Sequence, residues 1–118
     1  MSAPLQNYLR TYRRRSRFSQ EEVALLLGSR SGTRVSRYEQ RVRKPTLETA
    51  LAYEAIFQVP VRELFAGLYQ KVERETAARA EELAERLVSA NTVRVSSRKL
   101  ASLRAISSGQ PVSYAKRQ

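Results

Sequence analysis

Between Ser19 and Tyr38 the chain carries a run of residues that leaves little choice of local structure. Ser19-Gln20-Glu21-Glu22 is a capping box: the serine and the glutamate three positions on satisfy each other's exposed backbone donors, so a helix begins there. That helix is expected to bury Val23, Leu26 and Leu27, and Gly28 closes it. Ala24 lies four residues before Gly28, and Val35 lies seven after it. A small residue at the first position lets a second helix approach closely. The glycine turns the chain, and the β-branched side chain fills the angle between the helices. Residues 29–33 are small and polar apart from Arg30 and read as a turn, after which a short helix carries Val35 and Tyr38 on its apolar side.

The flanking residues read as helix too. Leu5, Tyr8, Leu9 and Tyr12 recur at helical spacing after Ser2, a capping residue, and Pro4, a first-turn proline. Thr46 caps a helix over residues 47–57, Val59-Pro60 breaks it, and residues 61–65 form a last short helix with Leu64 and Phe65 inward. Five short helices in about 60 residues with brief connections predict a compact α-bundle. Tyr8, Tyr12, Tyr38 and Tyr53 sit at core spacing and read as packing residues, not as platforms for stacked bases. Arg13-Arg14-Arg15, with Arg17, is either a solvated face or a patch that meets a phosphate backbone.

Composition narrows the chemistry. The 118 residues hold no histidine or cysteine and no aspartate or tryptophan, and all 11 acidic side chains are glutamates. No zinc site and no serine or cysteine nucleophile with its imidazole base can be assembled, so no enzyme, metal or cofactor is expected. Glu21 and Glu22 stand in the first turn of a helix, where capping and the helix dipole account for them better than acid catalysis does. The longest apolar run, residues 23–27, is far too short to span a membrane, and a signal peptide is not indicated, so a cytoplasmic protein is expected. The 22 Lys+Arg give a net charge of +11, which points to a polyanion, most often nucleic acid.

In register over about residues 5–66, the sequence resembles the Cro and phage-repressor (XRE-type) helix-turn-helix family. The matching positions are Arg13, residues 19–24, Gly28, Val35-Ser36-Arg37-Tyr38-Glu39, residues 43–48 and residues 59–65. The resemblance implies a λ-repressor-like bundle that binds double-stranded DNA, and it implies roles. Thr33 and Arg37 would contact bases, since a guanidinium pairs with guanine O6 and N7 in the major groove. Gln20, Arg34, Ser36, Arg41, Arg43 and Lys44 would contact phosphates. Arg13 and Glu39 would form a structural ion pair. Gly28 and Glu39 stand one residue further apart than is usual in the family, the extra residue falling within residues 29–33. Arg41 occupies the place after the glutamate where the family has a glycine.

Residues 67–90 read as one long helix, with Tyr69, Val72, Thr76, Ala80, Leu83 and Leu87 forming an apolar stripe that advances about 3.6 residues per step. Such a stripe needs a partner: a second copy of the chain is expected there, since dimers read two half-sites one DNA turn apart, the alternative being that the helix packs back on its own domain. Residues 91–118 carry six basic residues and no acid, with a short helix over residues 97–106 capped by Ser96 or Ser97 and a disordered end after Pro111.

The expected protein is therefore all-α: a five-helix helix-turn-helix DNA-binding domain (1–66), a long dimerisation helix (67–90) and a basic, partly disordered tail (91–118). The expected function is sequence-specific transcriptional regulation by a homodimer, as a repressor or antitoxin-like autoregulator. The alternative is a protein-interaction adaptor on the same fold, with a protein partner and only non-specific affinity for nucleic acid.

Overall fold

The computed structural model describes residues 4–90 and 96–109, and all its regular elements are helices. They are α1 (Leu9–Arg15), α2 (Gln20–Leu26), α3 (Gly32–Glu39), α4 (Leu47–Phe57), α5 (Val61–Leu64), α6 (Ala66–Ser89) and α7 (Ser97–Ser108). The chain divides into two compact units, Met1–Tyr69 and Gln70–Gln118.

The core of the first unit gathers one or two side chains from each of its short helices. Leu9, Val23, Ala24, Val35, Tyr38, Tyr53, Phe57, Leu64 and Phe65 are buried together. Tyr53 is its aromatic centre, edge-on to Tyr38 at 6.2 Å and stacked on Phe57 at 5.8 Å. None of these helices is long enough to persist alone, so this shared apolar contact is what holds them.

Two sequence expectations are corrected here. The first helix begins at Leu9, not after Pro4, because residues 5–8 bond outward. Tyr8 N–H donates to Leu64 O at 2.7 Å, and Leu5 O accepts from Gly67 N–H at 2.8 Å. Tyr8 is the N-cap and supplies no side-chain cap; Asn7, just before it, accepts from Leu9 N–H at its Oδ1 and donates from its Nδ2 to Tyr38 O. Leu5 is left exposed. In α2, Leu26 is 53 % exposed and Ala24 is buried in its stead. At 100° per residue Val23, Ala24 and Leu27 share one face, and Leu26 falls more than a right angle from its centre.

Helix ends follow one pattern three times. After α1, α2 and α3 the chain turns through a left-handed residue: Arg17 (φ 64°), Gly28 (φ 80°) and Arg41 (φ 64°). At each, the following N–H reaches five residues back: Phe18 to Arg13 O, Ser29 to Ala24 O, and Val42 to Arg37 O. This is the Schellman closure, which satisfies carbonyls that the helix leaves open. Glycine adopts this conformation freely, whereas the two arginines hold it against a steric cost.

In the second unit, α7 is capped by Ser96, whose Oγ accepts from Lys99 N–H, and Gly109 (φ 74°) ends it. Ala80 on α6 and Leu103 on α7 are its buried side chains among the described residues. The expected stripe on α6 is divided. Tyr69, Val72, Thr76 and Leu83 are exposed, Ala80 is buried and Leu87 half-buried, while Ala77 and Ala84 are half-buried beside them. The covered face is thus centred on small alanines, turned from the stripe that hydrophobicity alone would pick. The expected disorder after Pro111 lies outside the described residues, as does Ser2.

Candidate nucleic-acid interface

α2 and α3 meet across residues 27–31, and both ends of this connection are fixed. Gly28 closes α2, and Ser31 opens α3, its Oγ accepting from Thr33 N–H at 3.0 Å. A second acceptor comes from the other helix: Glu21 Oε1 takes Gly32 N–H at 3.1 Å. Gly32 is buried there, and a Cβ would stand 2.7 Å from that oxygen and 3.2 Å from Gln20 Cβ. The glycine therefore permits the close approach of the two helices. Glu21 joins them, a role its place in the first turn of α2 did not disclose.

The far end of α3 is tied to α1. Arg13 Nε donates to Glu39 Oε2 at 2.6 Å and Arg13 Nη2 to Glu39 Oε1 at 3.2 Å, a two-pronged pair with the carboxylate side chain only 4 % exposed. Arg13 Nη1 also donates to Phe18 O, and Gln20 Nε2 donates to Glu39 Oε1 at 3.2 Å. Glu39 thus collects donors from α1 and α2, so three helices meet at one carboxylate. Gln20, expected at a phosphate, turns its side-chain amide inward to Glu39 in this structure. Its backbone N–H stays in the first turn of α2, where the helix dipole favours an anion.

With both ends held, α3 has one defined outward face. Val35 and Tyr38 are buried, Ser36 is half-buried, and Thr33, Arg34 and Arg37 are exposed. The additional residue between Gly28 and Glu39 is accommodated with the expected inward and outward positions of α3 kept. Thr33, Arg34 and Arg37 line one open cleft of about 470 Å³ together with Arg43, from the loop after α3, and Arg30, from the connection before it. No carboxylate lines this cleft. Arg41 and Lys44 are exposed as well but line a separate small depression, with Arg43 shared between the two. The structure therefore brings Thr33, Arg34, Arg37 and Arg43 together, sets Arg41 and Lys44 to the side, and leaves Ser36 at the margin.

Arg30 was not among the expected site residues. The signal for it is its position one residue before the cap of α3. Arg10 and Arg14, one turn apart on α1, line another cleft with Ser19 and Gln20, but Glu21 and Glu39 stand in the same wall.

One titration is displaced near the site. Burial pushes the Tyr53 hydroxyl above the usual tyrosine value, and the negative charge of Glu39 adds to this. Its Oη is buried with no hydrogen-bond partner. Among the described residues no three acidic side chains converge as metal ligands would, and no helix is long and apolar enough to cross a membrane.

Comparison with known proteins agrees with this architecture in one respect. Residues 9–64 match the family model described as helix-turn-helix, from the start of α1 to the end of α5. No curated protein and no solved structure matches the chain. Residues 9–64 belong to the XRE-type helix-turn-helix family of DNA-binding transcription regulators.

Proposed function

We propose that the chain is a sequence-specific regulator of transcription that binds double-stranded DNA as a homodimer in the cytoplasm, as a repressor or antitoxin-like autoregulator. α3 enters the major groove, where Arg37 and Thr33 read base edges. Arg34, Arg41, Arg43 and Lys44 neutralise phosphates on either side, with Ser36 and the amino end of α2 at Gln20 as further backbone contacts. The observation that carries this reading is the outward face of α3, which gathers Thr33, Arg34 and Arg37 with Arg43 around a cleft without a carboxylate. Arg13 and Glu39 hold that face in place and are not counted as ligands.

The dimer is supported by α6, which leaves Tyr69, Val72, Thr76 and Leu83 exposed on one side. A second copy covering this strip would also place two recognition helices for two half-sites. Light scattering tests it: a mass twice 13.5 kDa at high concentration is expected, and a monomer at every concentration refutes it.

Selection of duplexes from a random pool at moderate salt tests the function as a whole. Enrichment of a consensus, with two related half-sites about 10 base pairs apart, is expected. A pool that stays random would leave only non-specific affinity, the behaviour of an adaptor that docks proteins.

A further inference from the structure

The cleft beside α3 holds one arginine that the helix itself does not supply. Arg34 and Arg37 stand on α3, and Arg43 comes from the loop that follows. Arg30 reaches the cleft from the other side, out of the connection from α2. Both connecting segments are anchored. Val42 and Arg43 N–H donate to Arg37 O at 2.9 and 3.3 Å, so the Arg43 loop is folded back on the recognition helix. Arg30 is flanked by Ser29, whose N–H donates to Ala24 O at 2.8 Å, and by Ser31, the cap of α3.

Among the described residues no ion pair compensates the charge of Arg30. The ion pairs among the described residues are Arg13–Glu39 and Arg86–Glu82. Of the two carboxylates preceding this turn, Glu21 is engaged by Gly32 N–H and Glu22 by Ser19 N–H. Four guanidinium groups around one open cleft repel one another, and a polyanion entering it relieves that repulsion. The cleft between α1 and α2 differs, because Glu21 and Glu39 share its wall with the arginines.

We propose that Arg30 is a further DNA-contacting residue, holding a backbone phosphate beside the amino end of α3. Arg30 and Arg43 then hold the duplex from opposite ends of the recognition helix. The inference rests on double-stranded DNA being the ligand of this face. A phosphate is assigned to Arg30 because base edges are read by side chains on the helix in the groove, whereas a residue preceding that helix faces the flanking strand. Arg30 is exposed and outside any helix, so its replacement leaves the fold intact.

The test measures affinity against salt concentration for the full chain, on a pool-selected duplex and on an unrelated one. Arg30→Ala is expected to weaken both duplexes alike, about tenfold, and to reduce the salt slope by about 0.9 per bound protomer. The selected consensus stays unchanged, and Arg30→Lys, which keeps the charge, restores most of the affinity. Unchanged affinity and slope in Arg30→Ala overturn the inference while the DNA reading stands. A changed consensus overturns the assignment to phosphate. Wild-type protein that binds neither duplex at low salt overturns the DNA reading, and this inference with it.

Discussion

Arg13 and Glu39 join the first helix to the last residue of the recognition helix through two parallel hydrogen bonds of 2.6 and 3.2 Å. Both side chains are largely shielded from water, so the pair matters more for what its loss leaves behind than for its own attraction. Arg13→Ala leaves a desolvated carboxylate with Gln20 Nε2 as its remaining side-chain donor. The expected cost is about 3 kcal/mol in denaturant unfolding, and replacing both partners by apolar residues is expected to cost less than Arg13→Ala alone. Additive losses would show that the pair does not act as a unit.

Arg41 presents a trade between stability and charge. It stands at φ 64° in the closure of α3, the place where a glycine is least strained. Arg41→Gly is expected to raise stability by about 0.5–1 kcal/mol, the relief of strain being partly offset by the extra freedom glycine has in the unfolded chain. The same change removes a proposed phosphate contact from each protomer and lowers the salt slope of DNA binding by about 1 per bound protomer. Calorimetry and salt-dependent binding on one sample separate the two effects.

Tyr53 carries a buried hydroxyl without a partner, a group whose desolvation nothing offsets. Tyr53→Phe keeps the ring that packs on Tyr38 and Phe57, and is expected to be neutral or stabilising by up to about 1 kcal/mol at neutral pH. The pH dependence follows from burial, which holds the folded hydroxyl above the value near 10 of an unfolded chain. Above about pH 10 the unfolded state releases this proton and the folded state retains it, so stability falls as pH rises. Below pH 10 the contribution is constant. Unfolding curves between pH 9 and about 11.5 are expected to show a slope that Tyr53→Phe reduces.

What was legible in the sequence was what neighbours along the chain decide. Ser19 with Glu22, Gly28, Thr46 and the break at Pro60 act within a few residues, and α2, α4 and α5 lie where those signals put them. The start of α1 was not legible, because Tyr8 and Leu5 bond to Leu64 and Gly67, more than fifty residues on. The covered face of α6 escaped for a related reason. Its stripe was read from hydrophobicity, whereas the buried side favours small side chains such as Ala80. At the candidate site, the outward face of α3 could be read from the inward places of Val35 and Tyr38. The inward turn of Gln20 and the approach of Arg30 depend on how α2 and α3 cross, which spacing alone does not give.

Arg37 and Lys44 separate reading from gripping. Arg37 lies on the exposed face of α3 between Arg34 and the Arg43 loop, where a two-pronged contact to guanine is geometrically open to it. Arg37→Ala is expected to cost about 1–3 kcal/mol on the selected duplex and far less on an unrelated one, relaxing preference at one base position per half-site. Lys44, in the loop before α4, carries a point charge suited to phosphate. Lys44→Ala is expected to weaken all duplexes alike and reduce the salt slope by about 1 per bound protomer. Repeating the random-pool selection with each variant distinguishes them. Uniform loss from both changes would mean that α3 meets DNA on another face.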